Sequence, residues 1–232
     1  GLIPFEELER QTFRLTQNVC LPVIVDADTG YGDAAAIEKN ICHLEAAGAA
    51  AIQIEDQELE RRCGHLDGKQ VISESEMAEK IHAACEGRQS DNTVIIARTD
   101  VRGIGSMKDC LSRIEAYHNA GADWIFPEAL QSQDEFSEAG ALLQELQSMG
   151  LANMTEFGQG PLLSRETLGT LGFAAVLYPV TLLRLAMKAI EVGLEVLGDE
   201  GSQETLLDLM QTREELYELL DYDPAQENNK NP

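Results

Sequence analysis

Basic residues are scarce in this chain of 232 residues, and long apolar runs are lacking. Lys and Arg total 17 against 41 Asp and Glu, which gives a formal net charge of −24. A nucleic-acid-binding protein needs a basic face, so this balance argues against that class of protein. No apolar stretch approaches the roughly 20 residues of a membrane span, and no signal-peptide pattern opens the chain. We therefore expect a soluble, cytoplasmic protein with no membrane or nucleic-acid partner.

Paired cysteines are also lacking. The five cysteines are Cys20, Cys42, Cys63, Cys85 and Cys110, an odd number with no CxxC pair among them. This spacing argues against both a disulfide framework and a zinc site. A reducing compartment suits such a chain.

What is present is a repeated pattern of short apolar runs that end in polar residues. The six runs are PVIVDAD (22–28), AAIQIEDQ (50–57), TVIIARTD (93–100), DWIFPEA (123–129), GLANMTEFG (150–158) and AAVLYP (174–179). Continuous Val- and Ile-rich runs are typical of strands buried on both faces of a parallel sheet. The run at 150–158 has little apolar lead-in, so we expect that strand to be short and irregular.

Helical patterns alternate with these runs. They cover residues 4–19, 34–47, 74–86, 107–120 and 134–148, then 180–196 and 203–220. Gly48, Gly87 and Gly121 follow three of them, where a left-handed C′ residue is expected. The strand-to-strand interval of about 30 residues is that of a βα unit with a right-handed crossover.

Repeated βα units predict either an open doubly wound sheet or a (β/α)8 TIM barrel. The first strand is not followed by a Gly-rich phosphate loop, so we favour the α/β barrel. Only six strands are counted and the chain begins with Gly1, so we expect an N-terminally truncated barrel that lacks about two βα units. Residues 1–222 are predicted to form one barrel domain with extra C-terminal helices, and residues 223–232 a disordered polar tail.

Acidic residues lie where the first two strands end. A barrel places its catalytic residues at the carboxyl ends of its strands. Asp26 and Asp28, two apart on one strand, should point the same way, with Glu55 on the next strand. An all-oxygen set of this kind suits Mg²⁺, or else Mn²⁺. The alternative is a group of solvated acids that bind no metal.

Later strands end in residues suited to binding an anion. Arg98 and Asp100 should share a face, as should Asn153 and Thr155. The guanidinium fork of Arg98 suits a substrate carboxylate, although an internal ion pair with Glu128 is the alternative, and the two roles can coexist.

Cys63 lies in the long connection after the second strand, in the stretch ERRCGHLDGK (60–69). Arg61, Arg62 and His65 would favour its thiolate and lower its pKa, while Gly64 lets the backbone approach a ligand closely. Such a thiol can transfer protons or act as a nucleophile. An inert loop cysteine is the other reading.

Eight motifs carry a family resemblance over almost the whole chain, from about residue 1 to 223. They are VDADTGYGD, IQIEDQ, RRCGHLDGK, VIIARTD, IFPEA, LANMTEFG, VLYPVTLLR and MQTREELYELLDY. In this order they resemble the isocitrate lyase/phosphoenolpyruvate mutase superfamily, and within it the lyases that cleave 2-methylisocitrate. The Cys-Gly-His motif marks the lyase branch of that superfamily.

The resemblance implies a Mg²⁺-dependent (β/α)8 barrel that cleaves 2-methylisocitrate to pyruvate and succinate, in the methylcitrate cycle of propionate catabolism. It implies a homotetramer that exchanges C-terminal helices. By motif, Asp26, Asp28 and Glu55 hold the metal or its waters, and the catalytic residues are Cys63, Arg98 and Glu128, with Cys63 protonating the succinate fragment. The implied substrate contacts are Cys63, Gly64, His65, Arg98, Glu128, Asn153, Met154, Thr155, Arg184 and Arg213.

One residue departs from the family pattern. Arg61 stands where relatives usually have Lys, and an Arg is a poorer proton shuttle, so a base role at that position is in doubt. Three alternatives stay open: action on isocitrate, action on another substituted malate or on oxaloacetate, and an inactive barrel subunit.

Overall fold

The structure, a computed structural model, describes residues 2–58 and 68–223. The chain forms two compact units, Gly1–Pro179 and Val180–Pro232. Within the described residues the strands are β1 (Ile24–Asp26), β2 (Ala51–Glu55), β3 (Val94–Thr99), β4 (Trp124–Pro127), β5 (Met149–Asn153) and β6 (Phe173–Leu177). The α-helices are α1 (Phe5–Thr16), α2 (Ala34–Ala46), α3 (Glu74–Gly87), α4 (Met107–Asn119), α5 (Gln133–Glu145), α6 (Arg165–Thr170), α7 (Thr181–Glu200) and α8 (Arg213–Leu219).

The six strands form one parallel sheet in the first unit, in the order β1-β2-β3-β4-β5-β6. Strands adjacent in sequence are therefore adjacent in the sheet, as in a barrel wall, and the sheet curls into a half-barrel. This confirms the prediction of an α/β fold with six parallel strands. The two additional βα units, and the reading of the last helices as extras to a barrel, stay predictions.

Two apolar layers hold the sheet. The larger lies between the strands and the helices and includes Ile37 of α2, Ile81 of α3 and Ile114 of α4, all fully buried. The smaller lies on the other face of the sheet, where Ile96 and Phe126 are fully buried. Every residue of β2 is buried, which is why these strands are continuous apolar runs instead of alternating ones.

Glycines end two of the predicted helices as expected, and a third serves another purpose. Gly48 and Gly121 adopt φ of 95° and 106°, so both are left-handed C′ residues. Gly87 is instead the last residue of α3. A β-carbon there would lie 2.2 Å from the carbonyl oxygen of Glu38, so Gly87 permits close packing of α3 against α2.

Strand β5 is irregular, as predicted, but shorter. It ends at Asn153, and its register with β6 shifts between Gly150 and Leu151. The residues after it form a loop in which Phe157 has a φ of 60°, which a continued strand cannot accommodate. The short helix α6, capped by Ser164, follows this loop and was not predicted.

The second unit corrects one helix prediction. Residues 203–220 do not form one helix, because a 3-10 turn at Glu204–Leu209 is followed by the separate helix α8. Thr212 caps α8, and Glu215 completes a reciprocal capping box. The Thr-x-x-Glu pattern signals a helix start at this point. The tail prediction concerns residues 223–232, and residues 224–232 lie outside the described part of the chain.

No helix among the described residues is long and apolar enough to cross a membrane.

Candidate active site

Polar side chains cluster at the carboxyl ends of β1 to β5. Parallel strands bring these ends to one rim of the sheet, where barrel enzymes place their catalytic residues. Register fixes the closest pair, because Glu55 and Arg98 are direct partners across β2 and β3. Four side chains share this rim and are buried or nearly so. They are Asp28, Glu55, Arg98 and Glu128.

The first strand ends at Asp26, and Asp28 lies in the turn beyond it. Asp28 has a φ of 51°, so the expectation that the two acids alternate along one strand is wrong. A backbone hydrogen bond relates them instead, because the N–H of Asp28 donates to Oδ1 of Asp26 at 3.0 Å. Gln53 also donates to Asp26, at 3.1 Å. The hydroxyl of Tyr31 donates to Asp28 at 3.3 Å.

Arg98 is the central cation of the rim. Its Nε and one terminal nitrogen donate to the two carboxylate oxygens of Asp100, both at 2.9 Å. Glu55 and Glu128 each place an oxygen 3.6 Å from the guanidinium. The ring of Phe126 lies 5.1 Å from its central carbon. Burial alone would lower the pKa of Arg98, but Asp100, Glu128 and Glu55 together raise it above its ordinary value, so the charge is permanent.

Both sequence readings of Arg98 are therefore compatible with the structure. It forms the predicted internal ion pair, and at 8% exposure it lies at the rim. The predicted sharing of a face by Arg98 and Asp100 is confirmed as a bidentate contact, although Asp100 lies just beyond β3.

Glu128 and Asn153 form the next pair along the rim. The side-chain amide of Asn153 donates to Glu128 at 3.0 and 3.3 Å, and Thr155 donates to the amide oxygen of Asn153 at 2.8 Å. The expected contact of Asn153 with Thr155 is thus confirmed. Ala129, with a φ of 62°, directs its N–H to Glu128 at 2.9 Å.

Cys63, Gly64 and His65 lie outside the described residues, as does Arg61. The residues on either side are held together below the rim. Glu58 donates its N–H to the carbonyl of Gln70 at 3.0 Å, and Gln57 and Val71 form an antiparallel bridge. The segment 59–67, called here the Cys63 segment, therefore leaves and rejoins the fold at neighbouring points.

Three buried residues near this base were missed by sequence reasoning. The ammonium of Lys69 lies 3.7 Å from Asp100, with both side chains fully buried. Asp56 is also fully buried and accepts the N–H of Asp100 at 2.8 Å. A charged residue adjacent to a strand end that already holds Glu55 was the available signal for Asp56. Nothing in the spacing of Lys69 distinguished it from a surface lysine.

The remaining predicted residues fall in two places. Met154 is buried, and its sulfur accepts the N–H of Leu163 at 3.2 Å. This contact gives it a packing role in the loop after β5. Arg184 lies on α7 and Arg213 is the first residue of α8, both in the second unit. Their contact with substrate stays a prediction.

The donor set for a metal was compared with the expected one. In the described part of the chain, no three His, Cys, Asp or Glu side chains are grouped so as to hold a metal ion. Glu55 faces Arg98, which leaves Asp26 and Asp28 as the nearest carboxylates to one another. Two carboxylates with several retained waters are the usual protein ligands of Mg²⁺, so these residues fit that ion as a sparse, hydrated site.

Known proteins resemble this chain in sequence and in fold. The phosphoenolpyruvate phosphomutase family matches residues 1–197. The 2-methylisocitrate lyase of Aeropyrum pernix is 45% identical over 96% of this chain and 70% of its own length. That of Halalkalibacterium halodurans is 42% identical over 100% and 75%.

A solved structure gives the same placement. The crystal structure of 2,3-dimethylmalate lyase, a member of the PEP mutase/isocitrate lyase superfamily, superposes with a TM-score of 0.84. It is 31% identical and covers 99% of this chain and 75% of the other. The rim of acids around one arginine, the matched family and these relatives agree. The chain belongs to the isocitrate lyase/phosphoenolpyruvate mutase superfamily and, within it, to the carbon–carbon lyases of the 2-methylisocitrate lyase family.

Proposed function

We propose that this protein is a Mg²⁺-dependent lyase that cleaves 2-methylisocitrate to pyruvate and succinate. The observation that carries the proposal is the rim itself, where the carboxylates of Asp26 and Asp28 and the buried Arg98–Glu128 pair meet at one end of the sheet. Relatives with identities of 39–45% over most of the chain are named for this reaction. The reaction belongs to propionate breakdown by the methylcitrate cycle.

The hydroxy-acid end of the substrate would lie near Asp26 and Asp28. These residues would hold Mg²⁺, or Mn²⁺ in its place, directly or through water, and Glu55 would orient those waters. A bound Mg²⁺ would stabilise the negative charge that develops on the substrate hydroxyl oxygen as the carbon–carbon bond breaks. The all-oxygen chemistry of the donor set supports this assignment.

Arg98 would bind a substrate carboxylate while its own carboxylate partners fix its orientation. A guanidinium held by Asp100 through two hydrogen bonds cannot turn freely, so its remaining surface faces one direction. Glu128 would lie beside the same group, with Asn153 holding its carboxylate in place. Both residues would then contribute preorganised charge to the cleavage.

Cys63 would donate the proton that the departing succinate fragment requires. The carbanion-like carbon must receive a proton as the bond breaks, and a thiol near neutrality can supply it. Gly64 and His65 accompany it in the sequence, and Met154 and Thr155 line the opposite loop. The substrate contacts of Arg184 and Arg213 belong to the same proposal.

The second unit supports a homotetramer with exchanged C-terminal helices. All twenty residues of α7 are described, and none of them is buried. Large apolar side chains such as Leu182, Leu185 and Leu194 are between 63% and 79% exposed. A contiguous apolar face of this kind marks an interaction surface. The cytoplasmic location stays a prediction of the sequence analysis.

One assay tests the reaction. The purified protein with Mg²⁺ receives 2-methylisocitrate, isocitrate or oxaloacetate in turn, and pyruvate, succinate and glyoxylate are measured. We expect pyruvate and succinate in equal amounts from 2-methylisocitrate. Turnover of isocitrate or oxaloacetate alone would move the chain to another activity of the superfamily, and no turnover of any substrate would support an inactive barrel.

The Cys63→Ser variant tests the proton donor. Removal of a positioned acid–base group costs about 100-fold or more in kcat. Cys20→Ser is the matched control, because Cys20 is exposed at the opposite end of β1 from Asp26. Near-normal cleavage by Cys63→Ser would exclude that residue from the mechanism.

A further inference from the structure

Asp56 is the buried charge that the proposed chemistry does not use. It follows Glu55 at the end of β2, and its side chain is fully buried. One carboxylate oxygen accepts the N–H of Asp100 at 2.8 Å. The other accepts hydrogen bonds from Arg113 at 2.8 Å and from the hydroxyl of Tyr117 at 2.7 Å. A buried carboxylate with this many donors is a strong local constraint.

The partners of Asp56 connect it to the Cys63 segment. Arg113 also donates to the carbonyl oxygen of Ile72 at 2.8 Å, and Ile72 donates its own N–H to the backbone carbonyl of Asp56 at 2.9 Å. Ile72 directly follows Val71, which closes the base of the segment. The C-terminal end of the segment is therefore attached to Asp56 through both side chain and backbone.

The same carboxylate is connected to Arg98. The backbone N–H that Asp56 accepts belongs to Asp100, whose side chain holds Arg98 by two hydrogen bonds. Lys69, immediately beyond the segment, lies 3.7 Å from that side chain. Asp56 thus stands between the residue that fixes the guanidinium and the base of the segment that carries the thiol.

We propose that Asp56, with Arg113 and Tyr117 of α4, positions the Cys63 segment relative to Arg98. These are positioning residues, since they act through the backbone of Asp100 and Ile72 and not on the substrate. The inference rests on the proposed function, because it assigns the proton donor to Cys63 and carboxylate binding to Arg98. It goes beyond that function by placing part of the catalytic geometry in the outer helix layer.

A purely structural role is the competing explanation, and the fold contains a matched comparison. At the opposite end of the sheet Arg88 donates to Asp123 at 2.6 Å, and Asp123 also accepts the N–H of Ile95 at 2.8 Å. This pair has the same chemistry, an Arg–Asp contact plus a backbone N–H, but lies away from the rim. Conservation of charge and shape makes Asp→Asn the informative change at both sites.

The test compares Asp56→Asn and Tyr117→Phe with Asp123→Asn. Loss of hydrogen bonds to a buried charge should lower kcat about tenfold or more for Asp56→Asn, and severalfold for Tyr117→Phe, with smaller changes in KM. Asp123→Asn should lower the melting temperature and leave both constants within about twofold of the parent. Tyr117→Phe keeps the core volume, so it reports even where Asp56→Asn fails to fold.

A second readout does not depend on turnover. The rate at which iodoacetamide alkylates Cys63, resolved by peptide mass, should change severalfold in Tyr117→Phe and stay unchanged in Asp123→Asn. Unchanged alkylation together with unchanged kcat in Tyr117→Phe would overturn the proposal, as would equal kinetic losses in the two Asp→Asn variants. If the parent enzyme turns over none of the substrates, the proposed function fails, and the alkylation comparison still decides whether the network positions the segment.

Discussion

Replacing Arg98 by Lys would test how much of the site depends on the geometry of the guanidinium. Arg98 donates two hydrogen bonds to Asp100, and Glu55 and Glu128 lie 3.6 Å away. Lysine keeps the positive charge among these carboxylates but offers a single nitrogen, so one of the two charge-assisted bonds is lost and the other nitrogens cannot be presented to substrate. Such a bond contributes about 2 kcal/mol, which corresponds to roughly a 30-fold loss in kcat/KM.

The retained charge should let the variant fold. Removing it altogether, as in Arg98→Met, would leave buried carboxylates without a counter-charge and cost about 3–5 kcal/mol of stability. The informative variant is therefore Arg98→Lys, with pyruvate release followed through lactate dehydrogenase and NADH absorbance.

Arg102→Lys is the matched control for this experiment. Arg102 binds Glu135 through two hydrogen bonds at 2.8 and 3.0 Å, away from the rim. It loses the same bidentate geometry, yet kcat/KM should stay within about twofold of the parent. If Arg98→Lys retains a third or more of the parent kcat/KM, the guanidinium fork has no special role and the reasoning is refuted.

Two further predictions concern metal and acid. Chelation by EDTA should abolish cleavage and added Mg²⁺ restore it, and Asp28→Asn should raise the Mg²⁺ concentration for half-maximal rate by about tenfold or more; an unchanged requirement would remove Asp28 from the site. Burial raises the pKa of Glu135, but Arg102 and the N–H of Gln131 lower it further, to below its ordinary 4.5. Its stabilisation is present above that pH and lost as the pH falls through the folded-state pKa. Glu135→Gln should therefore unfold with a shallower acid dependence, and an unchanged acid limb in chemical denaturation would contradict this.

The order of the elements could be predicted from the sequence because each strand is a buried apolar run followed by an amphipathic helix. Hydrophobic periodicity and the spacing of glycines are enough to locate such units. The exceptions have local causes. Phe157 turns the chain out of β5, and the capping box at Thr212 starts a new helix where one long helix was expected.

The site could be predicted only in part. Residues that end strands were found because strand ends meet at one rim, which is a property of the fold class. Asp28 was located correctly but for the wrong reason, since a left-handed backbone and not strand alternation directs it. Asp56 and Lys69 were missed because their importance depends on contacts with residues 44 and 31 positions away in sequence, and no local pattern records such contacts.

The bridge between Gln57 and Val71 has a consequence for how this lineage can change its substrate. The stretch between them is joined to the protein at two adjacent points, so its length and composition can vary while β2 and α3 keep their positions. Exchange of residues 59–67 between relatives would then be a modular operation. New reactions could be acquired in this stretch without cost to the sheet that supports them.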